Sequence, residues 1–262
     1  LLLGRLLRED GHEVVIAGFG KPGSLGPVCE KEGFHWHATN CRIQPGRFRN
    51  AYRTVRNLYR FAHFLRQFRA DIILPYCMGP NLACALTWRF SGAEQCLWHQ
   101  RDEGRGRPSR FWERLAVRNS SCFVSNSDQG THFLMQELLI PKERIHFIPN
   151  AVDPSPPMYT RKQWRENLGI TENTTCVCMV ANLHAHKDHA TLLRAWQLVQ
   201  KRWETGCGIK PLPLLLLAGR FGNTADRLQK LARESALANT VRFLGPVNDI
   251  SGLLGAVDLG VF

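Results

Sequence analysis

Residues 175–203 read TCVCMVANLHAHKDHATLLRAWQLVQKRW, and this stretch decides the fold class of the chain. Its first part, 175–181, is a short apolar run of the kind that forms a buried strand. Apolar residues then return at every third or fourth position over 188–203, which predicts a helix. A polar segment with three histidines and a lysine joins the two. A strand that leads into a helix in this way is the repeating unit of a parallel sheet.

The same alternation of strands and helices extends along the chain on both sides of this stretch. On the C-terminal side, the patterning predicts strands and helices in turn over 213–218, 224–236, 240–244, 249–255 and 257–262. On the N-terminal side, it predicts helices over 1–8, 44–70, 80–90, 111–119, 131–138 and 161–168, and strands over 12–17, 71–75, 94–98, 121–125 and 145–148. The expected fold class is α/β, with parallel sheets covered by helices on both faces.

One segment interrupts this alternation. Residues 152–157 read VDPSPP, with three prolines in four residues, which is typical of a linker or hinge. We therefore predict two Rossmann-like domains that face a cleft, an N-terminal domain at 1–153 and a C-terminal domain at 162–262, joined by a linker at 154–161. The chain starts at Leu1 and stops in an apparent strand, so we expect both domains to be incomplete.

Composition narrows the class of protein. The chain has 262 residues, 44% of them hydrophobic, which suffices for a buried core and argues against a disordered protein. No apolar run approaches the roughly 20 residues of a membrane-spanning helix. A net charge of +12, from 34 Lys and Arg against 22 Asp and Glu, favours anionic partners such as phosphates, nucleic acid or acidic lipid surfaces.

The cysteines and histidines indicate which redox compartment the protein occupies and whether it binds a metal ion. The nine cysteines are scattered through apolar segments without a Cys-x-x-Cys pair. This pattern favours buried free thiols in a reducing cytoplasm over disulfides or a zinc site. His184, His186 and His189 are close in sequence, but Asp188 alone accompanies them as a further ligand type, so we expect no metal there.

Residues 18–23 read GFGKPG and satisfy the Gly-x-Gly-x-x-Gly pattern of dinucleotide-binding turns. That pattern binds a pyrophosphate only where a helix begins inside it. Pro22-Gly23 and the Gly26-Pro27 pair that follows predict a surface loop here.

The polar segment after the strand at 175–181 has the chemistry of a phosphate-binding loop. Asp188 is a candidate N-cap of the next helix, whose positive end would point into the cleft. Lys187 adds a charge beside that end, and backbone N–H groups with one ammonium can bind a diphosphate. A strand-to-helix turn with a solvated lysine explains the same residues, so both interpretations stay open at this point.

Several segments, in their order and spacing, resemble the retaining glycosyltransferases of family 4, which have the GT-B fold. They are IPNAVD at 148–153, VANL with Lys187 at 180–187, LLRAW at 192–196, LLAGRFG at 216–222, VRFLG at 241–245 and AVDL at 256–259. GHEV at 11–14 is similar to the end of the family's first helix and its second strand. The resemblance spans essentially the whole chain and is most specific over 145–259.

The resemblance implies transfer of a sugar from a nucleotide-diphosphate donor to a glycan or lipid-linked acceptor, with retention of configuration. Cell-envelope polysaccharide synthesis is the implied setting. The nucleotide-sugar is a substrate, so no cofactor is implied. The C-terminal domain would bind the donor and the N-terminal domain the acceptor.

The resemblance also implies roles for individual residues. In this family an Arg and a Lys five residues later usually hold the donor diphosphate; Lys187 matches the Lys, but Asn182 stands where the Arg is expected. Because Asn can donate a hydrogen bond to phosphate without adding charge, donor contacts are expected to differ. The other implied donor contacts are Arg220 at the diphosphate and Gly219, Leu244 and Gly245 at the nucleotide.

A second candidate site follows the strand predicted at 94–98, where α/β proteins place ligands. Residues 98–104, WHQRDEG, resemble the histidine-containing segment near the family's reaction centre. His99 and Asp102 are the candidate catalytic residues. A polar cleft-lining His99 beside a local ion pair between Arg101 and Asp102 explains the segment equally well. Since retaining transfer requires a stabilised leaving diphosphate, Lys187 and Arg220 are expected to contribute more to catalysis than a histidine.

Family members carry two elements that this sequence does not include. A first strand with its glycine-rich loop would precede Leu1, and a Glu-x7-Glu motif would follow Phe262. We therefore expect residues 1–262 alone to be inactive or unstable.

The helix predicted over 44–70 carries both an apolar and a basic pattern. Its apolar residues at 48, 52, 55, 59, 62 and 65 have the spacing of one helical face. A line of arginines runs opposite, formed by Arg49, Arg53, Arg56 and Arg60. Aromatic residues are interleaved with them. Contact with an anionic membrane surface and a simple solvated face both explain this stripe.

Two other functions compete with glycosyl transfer. A GT-B-like sugar-nucleotide isomerase would share the fold, but the segments at 150–153 and 180–195 favour a transferase. A basic nucleic-acid-binding protein would explain the charge, but the arginines are spread over both domains and no nucleic-acid module is recognisable. The expectation is a cytoplasmic transferase with peripheral contact to the inner face of the cell membrane and no nucleic-acid partner.

Overall fold

The computed structural model describes residues 1–20, 23, 25–39, 51–102, 110–152, 154–206 and 211–262. The chain divides into two compact units, Leu1–Val152 and Asp153–Phe262. The strand pairings described in both units are all parallel, and helices alternate with strands, which confirms the predicted α/β class. Within the described ranges, every helix is too short or too polar to cross a bilayer.

The first unit contains a four-stranded sheet of order β3-β4-β5-β6 and a separate pair, β1-β2. Its strands are β1 (Ile16–Phe19), β2 (Trp36–Thr39), β3 (Ile72–Ile73), β4 (Gln95–Gln100), β5 (Cys122–Ser125) and β6 (Ile145–Phe147). Its helices are α1 (Leu2–Glu9), α2 (Leu25–Lys31), α3 (Ala51–Arg66), α4 (Met78–Thr87), α5 (Arg110–Asn119) and α6 (Asp128–Gln136).

The second unit contains one four-stranded sheet of order β10-β7-β8-β9. Its strands are β7 (Cys176–Val180), β8 (Leu214–Ala218), β9 (Val241–Gly245) and β10 (Leu259–Gly260). Its helices are α7 (Arg161–Asn167), α8 (His189–Gly206), α9 (Ala225–Glu234) and α10 (Ile250–Ala256).

The two central strands of the second unit are apolar along their whole length because both of their faces are buried. Val177 and Met179 of β7 pack with Leu193 and Trp196 of α8 in one cluster. The alternate residues of β7 lie in another cluster, which includes Leu253 of α10. A continuous apolar run is what a strand between two helical layers requires.

Cys176 and Cys178 of β7 lie in the same cluster, which confirms that they share one face of the strand. The seven cysteines in the described ranges are free thiols; Cys41 and Cys207 lie outside these ranges. Burial raises the pKa of Cys178 to about 11, with a further contribution from Cys176. Cys176 and Cys178 are therefore protonated at neutral pH and serve as small apolar core residues, whereas Cys77 is exposed.

Asp249 links residues 158–164, near the start of the second unit, to α10 by hydrogen bonds. Its Oδ1 accepts hydrogen bonds from the backbone N–H groups of Gly252 (2.9 Å) and Met158 (3.1 Å). Its Oδ2 accepts from the Trp164 indole (2.7 Å) and the Tyr159 N–H (3.1 Å). Desolvation opposes ionisation of this buried carboxylate, but the hydrogen bonds from Trp164 and the three backbone groups outweigh it and lower its pKa.

We predict that Asp249→Asn lowers the melting temperature of the chain, because an amide cannot accept all four of these hydrogen bonds. Since the folded pKa of Asp249 is lowered, its contribution to stability is present above the ordinary Asp pKa near 3.9 and is lost as the pH falls through the lower folded value. Thermal denaturation followed by circular dichroism at several pH values measures both effects. The exposed Asp226 of α9 gives the control, Asp226→Asn, and an equal loss in both variants would contradict the prediction.

The structure corrects several predicted element boundaries near the N-terminus. The strand predicted over 12–17 begins only at Ile16, because the His12 N–H bonds to the Leu7 carbonyl and closes α1. The elements α2 and β2 were not predicted. In the Gly-rich segment at 18–23, β1 ends at Phe19 and α2 begins at Leu25, after the motif; Lys21, Pro22 and Ser24 lie outside the described residues.

The predicted buried face of the long basic helix is confirmed only toward its C-terminal end, where Ala62 is buried and Leu65 packs against the core. Residues 44–50 lie outside the described ranges, and α3 spans Ala51–Arg66. Tyr52, Val55 and Tyr59, predicted on the buried face, are 78%, 58% and 75% exposed. The buried side is the line through Phe61, which packs in one cluster with Ala83, Cys84 and Trp88. Two lines of non-polar residues run along this helix, and the one that meets α4 and Trp88 forms the core.

Candidate functional site

The loops that follow β7, β8 and β9 are joined at the carboxyl edge of the second unit's sheet. Main-chain hydrogen bonds continue between neighbouring segments of the chain beyond the ends of the paired strands. They run from the Ala181 N–H to the Ala218 carbonyl (2.8 Å), from the Leu183 N–H to the Arg220 carbonyl (3.0 Å) and from the Gly219 N–H to the Gly245 carbonyl (2.8 Å). This edge is where open parallel sheets bind ligands.

Gly219 is required by the close approach of these loops. A Cβ atom at this position would lie 2.1 Å from the Ala181 carbonyl oxygen and 2.9 Å from the Asn182 nitrogen. Gly222 is confined in the same way, 2.5 Å from the Leu183 carbonyl oxygen and 2.7 Å from the His184 ring. The missing side chains allow two backbones to pack directly at the edge of the sheet.

Asn182 forms part of this loop contact. Its side-chain Oδ1 accepts a hydrogen bond of 3.0 Å from the Arg220 backbone N–H. Because an amide has donors on its nitrogen, the exposed side chain still presents N–H groups to solvent. Asn182 thus orients the backbone of the loop that carries Arg220, which the sequence did not predict.

Lys187 ends a 3-10 turn over Ala185–Lys187, directly before α8, and its side chain is exposed. Asp188 follows in the left-handed region with φ 48°, a conformation that Asp adopts more readily than most residues. Its Oδ1 lies 3.4 Å from the Thr191 N–H, which places it at the predicted capping position with a long contact. The first N–H groups of α8 and the lysine are therefore close along the chain.

The three histidines of this segment have different surroundings. His184 and His186 stack with ring centroids 5.7 Å apart. His189 is buried at the start of α8, and burial lowers its pKa, although the Ala181 backbone and Asp188 act in the opposite direction. Across the described ranges, no group of three His, Cys, Asp or Glu side chains is arranged to hold a metal ion.

Phe221 was not predicted as a site residue, but the structure places it beside the candidate nucleotide-binding backbone. Gly245 ends β9 with φ 70°, and a Cβ there would lie 3.7 Å from the Phe221 ring. The Phe221 side chain is 54% exposed, whereas Leu244 is half-buried. An exposed aromatic ring next to bare backbone can stack on a planar ligand. The signal in the sequence was the aromatic residue directly after Gly219-Arg220.

In the first unit, His99 lies near the end of β4 and is held from several sides. Its Nδ1 is 2.9 Å from the Pro75 carbonyl, and its ring stacks on Tyr76 at a centroid distance of 4.7 Å. The Asn81 side chain donates to the His99 carbonyl (2.8 Å) and accepts from its N–H (3.2 Å). Because a carbonyl only accepts, Nδ1 carries the proton and Nε2 keeps its lone pair.

We predict that His99 titrates below the ordinary histidine pKa near 6.5. Burial lowers the pKa of His99, the Pro75 carbonyl opposes this and the charge of Arg101 adds to the lowering. The imidazole is therefore neutral at pH 7. An NMR titration of the ring protons, assigned by comparison with His99→Gln, measures the midpoint. A midpoint at or above the ordinary value would contradict this description of the site.

Asp102 belongs to a different hydrogen-bonded group from His99. The Gln100 side chain donates to the Asp102 carbonyl (2.8 Å) and to its Oδ1 (3.1 Å), and accepts from the Trp98 indole (3.0 Å). The Arg101 guanidinium lies 5.7 Å from the centre of the Tyr76 ring. His99 and Asp102 therefore sit at the same strand end, where each is positioned by different side chains.

The ends of β5 and β6 bring another pair together at the same edge. The Asn126 amide donates to the Asn150 Oδ1 (3.2 Å), and the Ile148 N–H bonds to the Ser125 carbonyl (2.8 Å). The Asn126 Oδ1 is buried and has no hydrogen-bond partner within the described part of the chain. The segment 148–152 is thus joined to the first unit's sheet, and Asp153 lies outside the described residues.

Comparisons with known proteins bear on this arrangement. A family model described as Glycosyltransferase Family 4 matches residues 1–156, and one described as Glycosyl transferases group 1 matches residues 160–262. The putative glycosyltransferase EpsF of Bacillus subtilis is 27% identical over 153 residues, which cover 57% of this chain and 38% of that protein. The chain thus matches less than two thirds of this curated relative.

Two solved structures share the fold. Anabaena HepE, in complex with UDP and glucose, superposes with a TM-score of 0.75 at 17% identity, covering 98% of this chain and 68% of that one. WaaG, a glycosyltransferase involved in lipopolysaccharide biosynthesis, has a TM-score of 0.62 at 16% identity, covering 98% and 68%. The match confirms the predicted GT-B class of α/β fold. Because the family model covers more than half of its residues, the chain belongs to glycosyltransferase family 4.

Proposed function

We propose that this chain is part of an enzyme that transfers a sugar from a nucleoside-diphosphate donor to a glycan or lipid-linked acceptor, with retention of configuration. The observation that carries the proposal is the joined set of loops at the carboxyl edge of the second unit. This edge carries Lys187, the start of α8 and the bare backbone of Gly219. The chain that carries them belongs to glycosyltransferase family 4. HepE, with the same fold, binds UDP and glucose, which supports a nucleotide-sugar as the donor class.

The donor diphosphate is proposed to bind between Lys187, the side-chain amide of Asn182 and Arg220. Helix N–H groups and an ammonium stabilise phosphate oxygens, and Arg220 supplies a guanidinium on the loop that Asn182 orients. In this arrangement Arg220 makes up for the charge that Asn182 lacks. Gly219, Leu244 and Gly245 are proposed to face the nucleotide, with the Phe221 ring beside them.

During transfer the bond between the sugar C1 and the phosphate oxygen breaks, and C1 forms a bond to the acceptor hydroxyl oxygen. The proton of that hydroxyl passes to the departing diphosphate, on which negative charge accumulates. Lys187 and Arg220 are proposed to stabilise that charge, which lowers the barrier by electrostatic stabilisation. The donor itself is consumed as substrate. His99, neutral with a free Nε2 lone pair, is proposed to accept a hydrogen bond from a sugar hydroxyl, and Asp102 to hold the adjoining loop through Gln100.

WaaG supports an acceptor in the cell envelope, since it shares the fold and is involved in lipopolysaccharide biosynthesis. The isomerase alternative is less favoured, because both family models that match describe glycosyltransferases. The nucleic-acid alternative is disfavoured for the same reason.

The test is donor turnover by the full-length protein. UDP- and GDP-sugars are incubated with the protein and candidate glycan or lipid-linked acceptors, and released nucleotide is measured by chromatography. We expect release that depends on an acceptor, and an NMR coupling constant of the new glycosidic bond that shows the donor's anomeric configuration. Inverted configuration would overturn the retaining mechanism, and absence of release from every donor would overturn the proposed activity.

A further inference from the structure

Helix α3 of the first unit presents an exposed face that nothing in the proposed transfer reaction uses. Tyr52, Val55 and Tyr59 on this face are 78%, 58% and 75% exposed, although aromatic and aliphatic side chains are usually covered in a folded protein. The opposite side of the helix, including Thr54 and Phe61, is buried, and Ala62, about two turns beyond Val55, marks where the exposed face ends. The exposed apolar line is therefore a second face, distinct from the core-facing one.

Basic residues share this exposed face. Tyr52, Tyr59 and Arg66 follow at intervals of seven residues, which places them on one line of the helix. Arg53, Arg56 and Arg60 are exposed next to this line, and the Arg56 guanidinium lies 6.0 Å from the centre of the Tyr52 ring. The sequence of α3 contains four arginines and no Asp or Glu, so the whole face is electropositive.

A polar pocket lies at the end of the same line. It has a volume of about 420 Å³ and is lined by Arg66, Gln67, Arg69, Ser91 and Gly92. The lining residues thus carry two guanidinium groups and an amide that can donate, and none of them carries a carboxylate. The Ser91 hydroxyl already donates to the Trp88 carbonyl (2.6 Å). Arg69 adopts a left-handed backbone with φ 48°, which costs energy for a residue of this type. The pocket has the donors that a phosphate group requires.

We propose that the α3 face, defined as Tyr52, Val55, Arg56, Tyr59 and Arg66, docks on an anionic lipid bilayer and that the adjoining pocket receives a lipid headgroup phosphate. Tyrosines side by side with arginines on one helix face suit the interface between water and lipid, where the rings lie at headgroup depth and the guanidinium groups contact phosphates. Each basic residue near an anionic surface adds roughly fivefold to the affinity. The proposal does not depend on the proposed transfer reaction.

A single-stranded nucleic acid would also contact arginines and tyrosines. The exposed aliphatic Val55, between the two tyrosines, favours the bilayer, because insertion into lipid buries an aliphatic side chain whereas a base stack does not require one. The pocket at the end of the helix also favours lipid, since it offers space for one compact anion and is not a groove along a strand.

The test is co-sedimentation of the full-length protein with vesicles of phosphatidylcholine alone and of phosphatidylcholine mixed with phosphatidylglycerol. Three paired variants are compared with the native protein: Tyr52→Ala with Tyr59→Ala, Arg56→Gln with Arg60→Gln, and Arg66→Gln with Arg69→Gln. The matched control, Arg227→Gln with Arg233→Gln, removes the same charge from exposed positions of α9. Melting curves verify that each variant is folded.

We expect binding to anionic vesicles only, a loss of roughly tenfold or more in each of the three α3 and pocket variants, and native binding in the control. Equal binding to neutral and anionic vesicles, or an equal loss in the control, would overturn the proposal. Binding of an RNA oligonucleotide that depends on Tyr52 and Tyr59, without binding to vesicles, would also overturn the proposal. Soluble glycerol phosphate tests the pocket separately. If it binds as tightly as the vesicles do, the ligand of the pocket is a free anion and the proposed lipid headgroup is wrong.

Discussion

Replacing Gly219 by alanine is expected to destabilise the second unit by on the order of 3 kcal/mol. The added Cβ would lie 2.1 Å from the Ala181 carbonyl oxygen and 2.5 Å from its carbon, well inside van der Waals contact. Those atoms belong to the backbone that continues β7, so they cannot rotate away as a side chain can. Relief would require the Gly219–Gly245 and Ala181–Ala218 hydrogen bonds to separate.

Gly255 of α10 provides the matched control for this substitution. A Cβ at Gly255 meets no atom within 4 Å, and alanine is the better helix former. We therefore expect Gly255→Ala to leave the free energy of unfolding unchanged or slightly higher. Urea denaturation measures both variants. A loss in Gly219→Ala no greater than in Gly255→Ala would show that the loops do not pack as closely as described.

Replacing Lys187 by alanine is expected to lower kcat/KM for the nucleotide-sugar by about 100-fold, which corresponds to loss of one preorganised charge at the departing phosphate. The melting temperature of the free protein should stay the same, because the Lys187 side chain is exposed on a 3-10 turn. This combination separates a binding and catalytic role from a structural one. Steady-state kinetics of the full-length protein and its thermal unfolding provide the two readouts.

The control for the lysine variant lies in the helix that follows Lys187. Lys201 is exposed in α8, more than two turns beyond Lys187 along the chain. Lys201→Ala removes an equal charge from the same unit and is expected to keep native kinetics. If both variants lose activity equally, the effect is one of overall charge and Lys187 has no specific contact with the donor.

Strands and helices with continuous or periodic apolar patterns were predictable from the sequence. The run at 214–218 is apolar throughout because β8 is buried on both faces, and this pattern leaves little choice of element. The pair β2 and α2 was missed, because elements of four and seven residues carry almost no periodic signal. Gly26-Pro27, which predicted a loop, in fact lies in the first turn of α2. Short elements of this kind are stabilised by tertiary contacts.

The α3 helix shows why an apolar period does not define the buried face. Tyr52, Val55 and Tyr59 have the correct spacing, yet the core contacts run through Phe61 and Phe64. Both lines are compatible with the sequence, and the choice depends on where α4 and Trp88 lie, which is a long-range property. The same reasoning applies to the candidate site. Lys187 follows from local pattern and Gly219 from the family resemblance, but the hydrogen bond from the Arg220 N–H to Asn182 required the folded sheet.

We propose that the carboxyl-edge loops of the second unit bind a nucleoside diphosphate through Lys187. Thermal unfolding of the full-length protein, with and without UDP or GDP, tests it most directly. A ligand at about 100 times its Kd adds about 2.7 kcal/mol, so one nucleotide should raise the Tm by several degrees and the Lys187→Ala variant should lose most of that shift. An unchanged Tm with every nucleoside diphosphate, or a full shift in Lys187→Ala, would contradict the claim.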